Sequence, residues 1–265
     1  MVRVTLAGAT GWAGSAVARG IAAADDLQLV AAVARRAAGQ PLGTALGDPA
    51  IATPVFATAA EALAVPTEVF VEFTKPDAAR ANIEAALAGG AHVVVGTSGL
   101  SDADYAAIDS VARKHNRGVL AAGNFALTVV LLQKFAEMAA KHLDYFEVID
   151  YAHEDKVDSP SGTARELAFR LGQIKQPHAG VSLDKVRGPR EARGATLSGV
   201  QVHSVRLPGF VIGVEAIFGA PGQRLHLKHE AGASAEPYVG GTLLAIRKVS
   251  SLIGVHRGLD TVLEL

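Results

Sequence analysis

A short apolar run, Val2 to Ala7, passes without a break into Gly8-Ala9-Thr10-Gly11-Trp12-Ala13-Gly14, and helix-forming residues begin at once. This GxxGxxG pattern between a strand and a helix limits the fold more than any other feature of the chain. Its glycines permit a tight turn and a close backbone approach to pyrophosphate, whose charge the N–H groups of the helix N-terminus then hold. Such turns also occur without a ligand. Here the turn opens a series of alternating strands and helices, and that context points to a dinucleotide.

The alternation continues through the first half. Apolar runs at Arg3–Ala7, Leu27–Ala34, Glu68–Phe73, His92–Val95 and Gly118–Ala121 predict strands, and Ala13–Ala23, Asp77–Ala88 and Asp102–Lys114 predict helices, with Ser101 as an N-cap. Short, continuously apolar strands suit a parallel sheet covered on both faces. Beyond Asn124 the rhythm changes to a long helix, Leu127–Leu143, a strand, Tyr145–Tyr151, a polar loop, His153–Ser161, and a helix, Thr163–Leu171. Pro and Gly signals mark 177–194 as irregular. Segments 196–206, 211–218 and 223–229 predict a mainly antiparallel sheet, and Tyr238–Ile253 a final helix. The expected fold class is α/β, an N-terminal Rossmann-type parallel sheet followed by a second α+β domain. The expected bounds are 1–124 plus 233–265 for the first domain and 125–232 for the second.

Composition removes several alternatives. There is no Cys, which excludes disulfides, thiolate metal sites and a thiol nucleophile, and with it the semialdehyde dehydrogenases whose opening Gly8-Ala9-Thr10-Gly11 resembles. Twenty-five Lys and Arg balance 26 Asp and Glu, so no net field draws the chain to nucleic acid or an anionic membrane. No apolar stretch has the length of a spanning helix, and no secretory signal opens the chain, so a cytoplasmic location is expected. No metal site is expected either. Of the nine His, His226 and His229 stand on a predicted strand at a spacing that puts them on opposite faces.

About twenty residues past the glycines, where an acid would hold the ribose of NAD, the second strand ends at Arg35-Arg36. Two guanidiniums there suit a 2′-phosphate, so NADPH is the expected cofactor, with NADH as the lesser option and Lys75 as a further cation. The plain alternative is a pair of solvated loop charges.

The densest chemistry lies between Tyr151 and Ala164. Pro160 and Gly162 shape a turn, Ser161 or Thr163 caps the next helix, and that helix's first N–H groups face whatever binds above them, for which a carboxylate is the natural guest. His153 and Lys156 add positive charge and exchangeable protons, as a reductase needs when hydride delivery is matched by protonation. A solvated charged loop with an ordinary cap is the competing description.

The run Lys156-Val157-Asp158-Ser159-Pro160-Ser161-Gly162-Thr163-Ala164 resembles the signature of the dihydrodipicolinate reductase family. The similarity extends through Phe73-Thr74-Lys75-Pro76, Gly96-Thr97-Ser98-Gly99, Ala122-Gly123-Asn124-Phe125, His203-Ser204-Val205-Arg206 and Asp260-Thr261-Val262-Leu263. It implies a Rossmann domain with a second domain for substrate and oligomerisation, usually in a homotetramer. It also implies hydride transfer from NAD(P)H to a cyclic dicarboxylate in lysine and diaminopimelate synthesis. Residue by residue, it implies cofactor contacts at Gly8, Ala9, Thr10, Gly11, Trp12 and Ala13, and at Arg35, Gly96, Thr97, Ser98, Ala122, Gly123, Asn124 and Phe125; Gly14, Arg36, Phe73 and Thr74 complete the expected set. It makes Lys156 the proton donor and His153 a substrate contact, gives Gly162-Thr163 the substrate carboxylate beside Ser161, and puts the domain boundary at Asn124.

Three positions depart from the family pattern. Ala152 replaces the first of two adjacent histidines, leaving Lys156 or His153 to supply the proton. Glu215 replaces a histidine and would repel a dicarboxylate if it faced the site, or else faces a cation. Trp12 replaces a commonly basic residue. Two alternatives therefore stand beside the leading one: an imine reductase or amine dehydrogenase of the same architecture, and a non-catalytic NADP-binding sensor. Strands within 200–218 are suited to a sheet shared between subunits, so a homo-oligomer is expected.

Overall fold

The apolar tetrapeptide Gly118-Val119-Leu120-Ala121, and Val69-Phe70-Val71 with the acid Glu72 that ends it, are buried along their whole length, as strands flanked by helices on both faces must be. They belong to a computed structural model that describes residues 1–263. Its two compact units are Met1–Leu127 with the chain from Ala235 onward, and Thr128–Ser234.

The first unit contains β1 (Val2–Ala7), α1 (Trp12–Ala23), β2 (Leu27–Val33), α2 (Leu42–Leu46), β3 (Val55–Phe56), α3 (Ala59–Ala62), β4 (Val69–Glu72), α4 (Pro76–Ala88), β5 (His92–Val95), α5 (Asp102–Lys114) and β6 (Gly118–Ala121). Its seven-stranded parallel sheet has the order β12-β6-β5-β4-β1-β2-β3, in which β12 (Gly254–Arg257) returns from the C-terminal part of the chain. The strand order reverses between β1 and β4, and doubly wound sheets bind ligands at such a reversal. Phe70, Ile83, Leu87, Val93, Ile108 and Val119 fill the core. Pro at the start of α4 and the Ser101–Asp104 capping box of α5 fix those two helix entries.

Three elements here escape periodicity: α2, β3 and α3 are too short to show a pattern. The expected helix over Tyr238–Ile253 is divided. α8 (Pro237–Lys248) ends in a 3-10 turn at Val249–Ser251, and Gly254, with φ of +80°, turns the chain into β12. Pairing with β6 makes β12 a strand, and no local signal reports a partner so distant in the chain.

The second unit contains α6 (Leu127–His142, its first residue excepted), β7 (Tyr145–Ala152), α7 (Gly162–Ile174), β8 (Ala195–Leu197), β9 (Val200–Arg206), β10 (Ile212–Ala220) and β11 (Gln223–Ala231). The sheet order is β11-β10-β7-β9-β8. All pairs are antiparallel except β7 with β9, which is parallel. β7 alternates strictly between covered and open positions; Phe146 and Val148 pack with Leu132, Leu167, Leu171 and Phe218 in the core. The segment expected as one strand over 196–206 is a hairpin. Ser198 (φ 51°) and Gly199 (φ 83°) form a two-residue turn with both φ values positive, the geometry that matches strand twist. Within 177–194 the chain forms 3-10 turns at Leu183–Lys185 and Arg190–Arg193.

Candidate functional site

In the first unit the glycine turn lies where β1 and β4 diverge. Gly8 has φ of +81°, and a Cβ there would overlap the Phe73 carbonyl; a Cβ at Gly14 would overlap the Gly8 carbonyl. Gly11 N–H donates to the Gly8 carbonyl at 2.9 Å and closes the loop. Gly11 is also the N-cap of α1, with no side-chain cap, so the first-turn amides are available to an external anion. Thr10, Gly11 and Trp12 are exposed, whereas the Ala9 side chain is buried, leaving its backbone as the part that can meet a ligand. These features fit a dinucleotide pyrophosphate.

Phe73, Gly96, Ser98, Ala122, Gly123, Asn124 and Phe125 join Trp12 and Ala13 around a cavity of about 190 Å³. Phe73 lies 5.8 Å from Phe125, centroid to centroid, and a Cβ at Gly96 would strike the Phe73 ring. Thr97 is buried and supports the loop from beneath; Thr74 is half-buried. Arg35 and Arg36 occupy a 3-10 turn after β2, both exposed, and neither pairs with a carboxylate among the described residues.

Two residues of this unit escape motif analysis. Tyr238 of α8 meets Trp12 edge-on at 5.6 Å and completes the cavity wall. Glu72 is fully buried and accepts from Thr74 N–H (2.6 Å), Asn82 Nδ2 (2.9 Å) and Thr97 Oγ1 (3.3 Å), tying the Phe73 and Gly96 loops to one carboxylate. An acid at the end of an otherwise apolar strand is the only signal it leaves in the sequence.

The second unit brings the other predicted residues together on the loop between β7 and α7 and the first turn of α7. Ala152 is fully buried on the sheet face that carries Val148 and Asp150. His153 Nδ1 lies 2.6 Å from Asp155 Oδ1, and Lys156 Nζ donates to Asp158 Oδ1 at 2.7 Å. That bond from Lys156 holds the Asp158 carboxyl below its ordinary value. Of the two possible caps, Ser161 takes the role: its Oγ accepts from Ala164 N–H at 3.3 Å, and Gly162 and Thr163 become the first two helical residues. Their amides belong to the group that finds no acceptor within the helix.

Glu215 lies on the opposite face of the sheet from α6 and α7. It accepts from the Tyr151 hydroxyl (2.8 Å) and contacts His226 Nδ1 (2.8 Å), while Lys228 Nζ stands 4.8 Å over the Tyr151 ring. Burial pushes the carboxyl up, but the bonds from His226 and Tyr151 and the charge of Lys228 outweigh it and leave the group below its ordinary value. Glu215 thus faces Tyr151 and His226, with the Lys228 charge nearby, and not the α7 side of the sheet. His229 is buried on the other face, 2.9 Å from Thr128 Oγ1, and burial lowers its pKa. Among the described residues no three His, Asp or Glu side chains are grouped to hold a metal ion, and no helix is long and apolar enough to cross a membrane.

Comparison with known proteins matches residues 2–125 to the family described as dihydrodipicolinate reductase, N-terminus, and residues 128–263 to its C-terminus counterpart. A 4-hydroxy-tetrahydrodipicolinate reductase of Desulfitobacterium hafniense is 35% identical over 265 residues, covering 99% of each chain. One from Moorella thermoacetica is 38% identical over 266 residues, covering 99% of this chain and 98% of that one. The solved structure of a dipicolinate-bound dihydrodipicolinate reductase from a Paenisporosarcina species has a TM-score of 0.89 at 28% identity, covering 99% of this chain and 100% of that one. With both family halves matched in order along nearly its whole length, the chain belongs to the dihydrodipicolinate reductase family.

Proposed function

We propose that this chain is an NADPH-preferring reductase of a cyclic unsaturated dicarboxylate, 4-hydroxy-tetrahydrodipicolinate, working in the cytoplasm in lysine and diaminopimelate synthesis. The observation that carries this reading is the start of α7. Ser161 caps the helix with its own side chain, so the Gly162 and Thr163 amides stay open to a substrate carboxylate, on the same loop as Lys156.

A nicotinamide cofactor bound here would supply the hydride. The amides after Gly11 would hold its pyrophosphate, Arg35 and Arg36 its 2′-phosphate, and the loops at Phe73–Thr74, Gly96–Ser98 and Ala122–Phe125 its nicotinamide end. Net reduction also consumes a proton. Ala152 has none to give, so Lys156, oriented by Asp158, and His153, oriented by Asp155, are the donors that the loop offers. The charged Lys156 further offsets the substrate's negative charge. For assembly, the second unit's sheet is the surface we assign to a homotetramer, since β11 and β8 are edge strands that a neighbour can cover; sedimentation equilibrium giving only monomer at micromolar concentration rejects that assignment.

The test of the reading is NADPH oxidation by the purified protein with freshly generated 4-hydroxy-tetrahydrodipicolinate, run beside a panel of cyclic imines. Turnover of the dicarboxylate, lowered about 100-fold or more in Lys156→Ala, is the expected result. Silence with the dicarboxylate and turnover of imines moves the assignment to imine reduction, and NADPH binding without any turnover moves it to a sensor.

A further inference from the structure

We infer that Arg206 is a positioning residue for substrate capture, acting through Asp150 and Asp158 and not on the substrate itself; the inference rests on the assignment of Lys156 and the Gly162–Thr163 amides to the dicarboxylate. Arg206 ends β9, where the parallel register sets it beside Ala152, the last residue of β7. Its Nη2 donates to Asp150 Oδ2 and to the Asp158 carbonyl oxygen, both at 2.7 Å. The same oxygen of Asp150, which is fully buried, accepts from Ser161 N–H at 2.9 Å and from the Ser204 hydroxyl at 3.2 Å.

One guanidinium therefore grips both ends of the turn. At one end is Asp158, whose carboxylate holds Lys156 Nζ; at the other is Ser161, which caps α7. A largely covered ion pair, here a fully buried Asp150 and a partly covered Arg206, adds little net stability compared with apolar residues of the same volume, so what it holds in place is the better account of its presence. Moving Arg206 releases Asp158 from one side and the Ser161 cap from the other. The Lys156 ammonium and the Gly162–Thr163 amides then lose their common frame, and a dicarboxylate that needs both is bound less well.

The test uses dipicolinate as the probe, with its Kd measured by calorimetry on the NADPH-saturated protein. It is set beside steady-state kcat and KM and the NADPH Kd from quenching of Trp12, the chain's single tryptophan. Arg206→Met is expected to raise the dipicolinate Kd and the substrate KM at least tenfold while the NADPH Kd stays within twofold. Arg206→Lys, which keeps the charge and can donate to both oxygens, is expected to recover the parent values to within threefold. Should Arg206→Met not fold, Asp150→Asn gives the same comparison, since it keeps an acceptor for Ser161 and removes the charge that anchors Arg206. A dipicolinate Kd and KM within twofold of the parent, or an equal loss of NADPH and dipicolinate binding, overturns the inference. Lys156→Ala separates the two layers: weakened dipicolinate binding there with none in Arg206→Met overturns this inference alone, whereas unchanged binding in Lys156→Ala overturns the substrate assignment and this inference with it.

Discussion

The Tyr151 hydroxyl donates to Glu215 Oε2 across the antiparallel β7–β10 pair at 2.8 Å. This bond, with His226 on the neighbouring strand, explains how an acid is accommodated where the family pattern commonly has a histidine. The carboxylate is met by a histidine one strand away and a phenol, on the sheet face away from α7, so its charge does not oppose an anion at the α7 N-terminus.

That arrangement sets a pH dependence at each end of the scale. Burial and the bond to Glu215 push the Tyr151 hydroxyl up to about 12 from an ordinary 10.0. A raised value in the fold means that the group's contribution is complete below pH 10 and is lost as the pH rises towards 12. Glu215 is lowered from 4.5, so its contribution holds above that pH and is lost as the pH falls through the folded value. Tyr151→Phe is expected to cost about 1 kcal/mol at pH 8 and to flatten the alkaline decline. Urea unfolding at a series of pH values checks this, and an alkaline decline as steep as the parent's contradicts it.

Glu72→Ala removes the acceptor shared by Thr74 N–H, Asn82 and Thr97. Thr74 N–H and Asn82, both half-buried, lose their acceptor while Thr97 keeps the Glu72 and Thr74 carbonyls, so the variant should lose about 1–3 kcal/mol in all and bind NADPH several-fold more weakly. Unchanged NADPH affinity, read by Trp12 fluorescence, disconnects Glu72 from the cofactor loops.

The glycines make a sharper pair. A Cβ at Gly14 overlaps the Gly8 carbonyl, whereas a Cβ at Gly123 meets nothing within 4 Å. Gly14→Ala should destabilise the protein by about 1–3 kcal/mol through overpacking and abolish tight NADPH binding. Gly123→Ala should leave the unfolding midpoint unchanged and weaken NADPH alone, because its open space lies on the cavity wall assigned to the cofactor. Full NADPH affinity in Gly123→Ala would take that loop out of the cofactor site.

Arg35 and Arg36 have no carboxylate partner among the described residues, which leaves both free for a 2′-phosphate. Replacing both with Glu should lower kcat/KM for NADPH at least tenfold relative to NADH and reduce the salt sensitivity of the NADPH KM. An unchanged NADPH-to-NADH ratio rejects the assignment.

Local chemistry made much of this protein legible. The turn from Val2 to Gly14, the apolar strands β4 to β6, the Ser101 cap and the charged loop before α7 each depend on neighbouring residues: glycine's freedom at φ > 0, side-chain volume, or the reach of a capping hydroxyl. Those signals sufficed for the parallel sheet and for singling out the two loops proposed as the site. The residues that support them left almost no trace, because their partners lie far along the chain.

Asp150 and Arg206 stand 56 residues apart and meet only through the parallel register of β7 and β9. Of the donors to Glu72, Asn82 arrives with α4 and Thr97 only when β5 lies beside β4. Trp12 finds Tyr238 only when α8 packs back beside α1, and Gly254–Arg257 becomes a strand only by pairing with β6. By itself the sequence determined which backbone turns could form and which side chains could carry charge or protons. Tertiary structure decided which buried group holds each loop in place, since hydrogen bonding and burial depend on distance in space, which residue spacing does not encode.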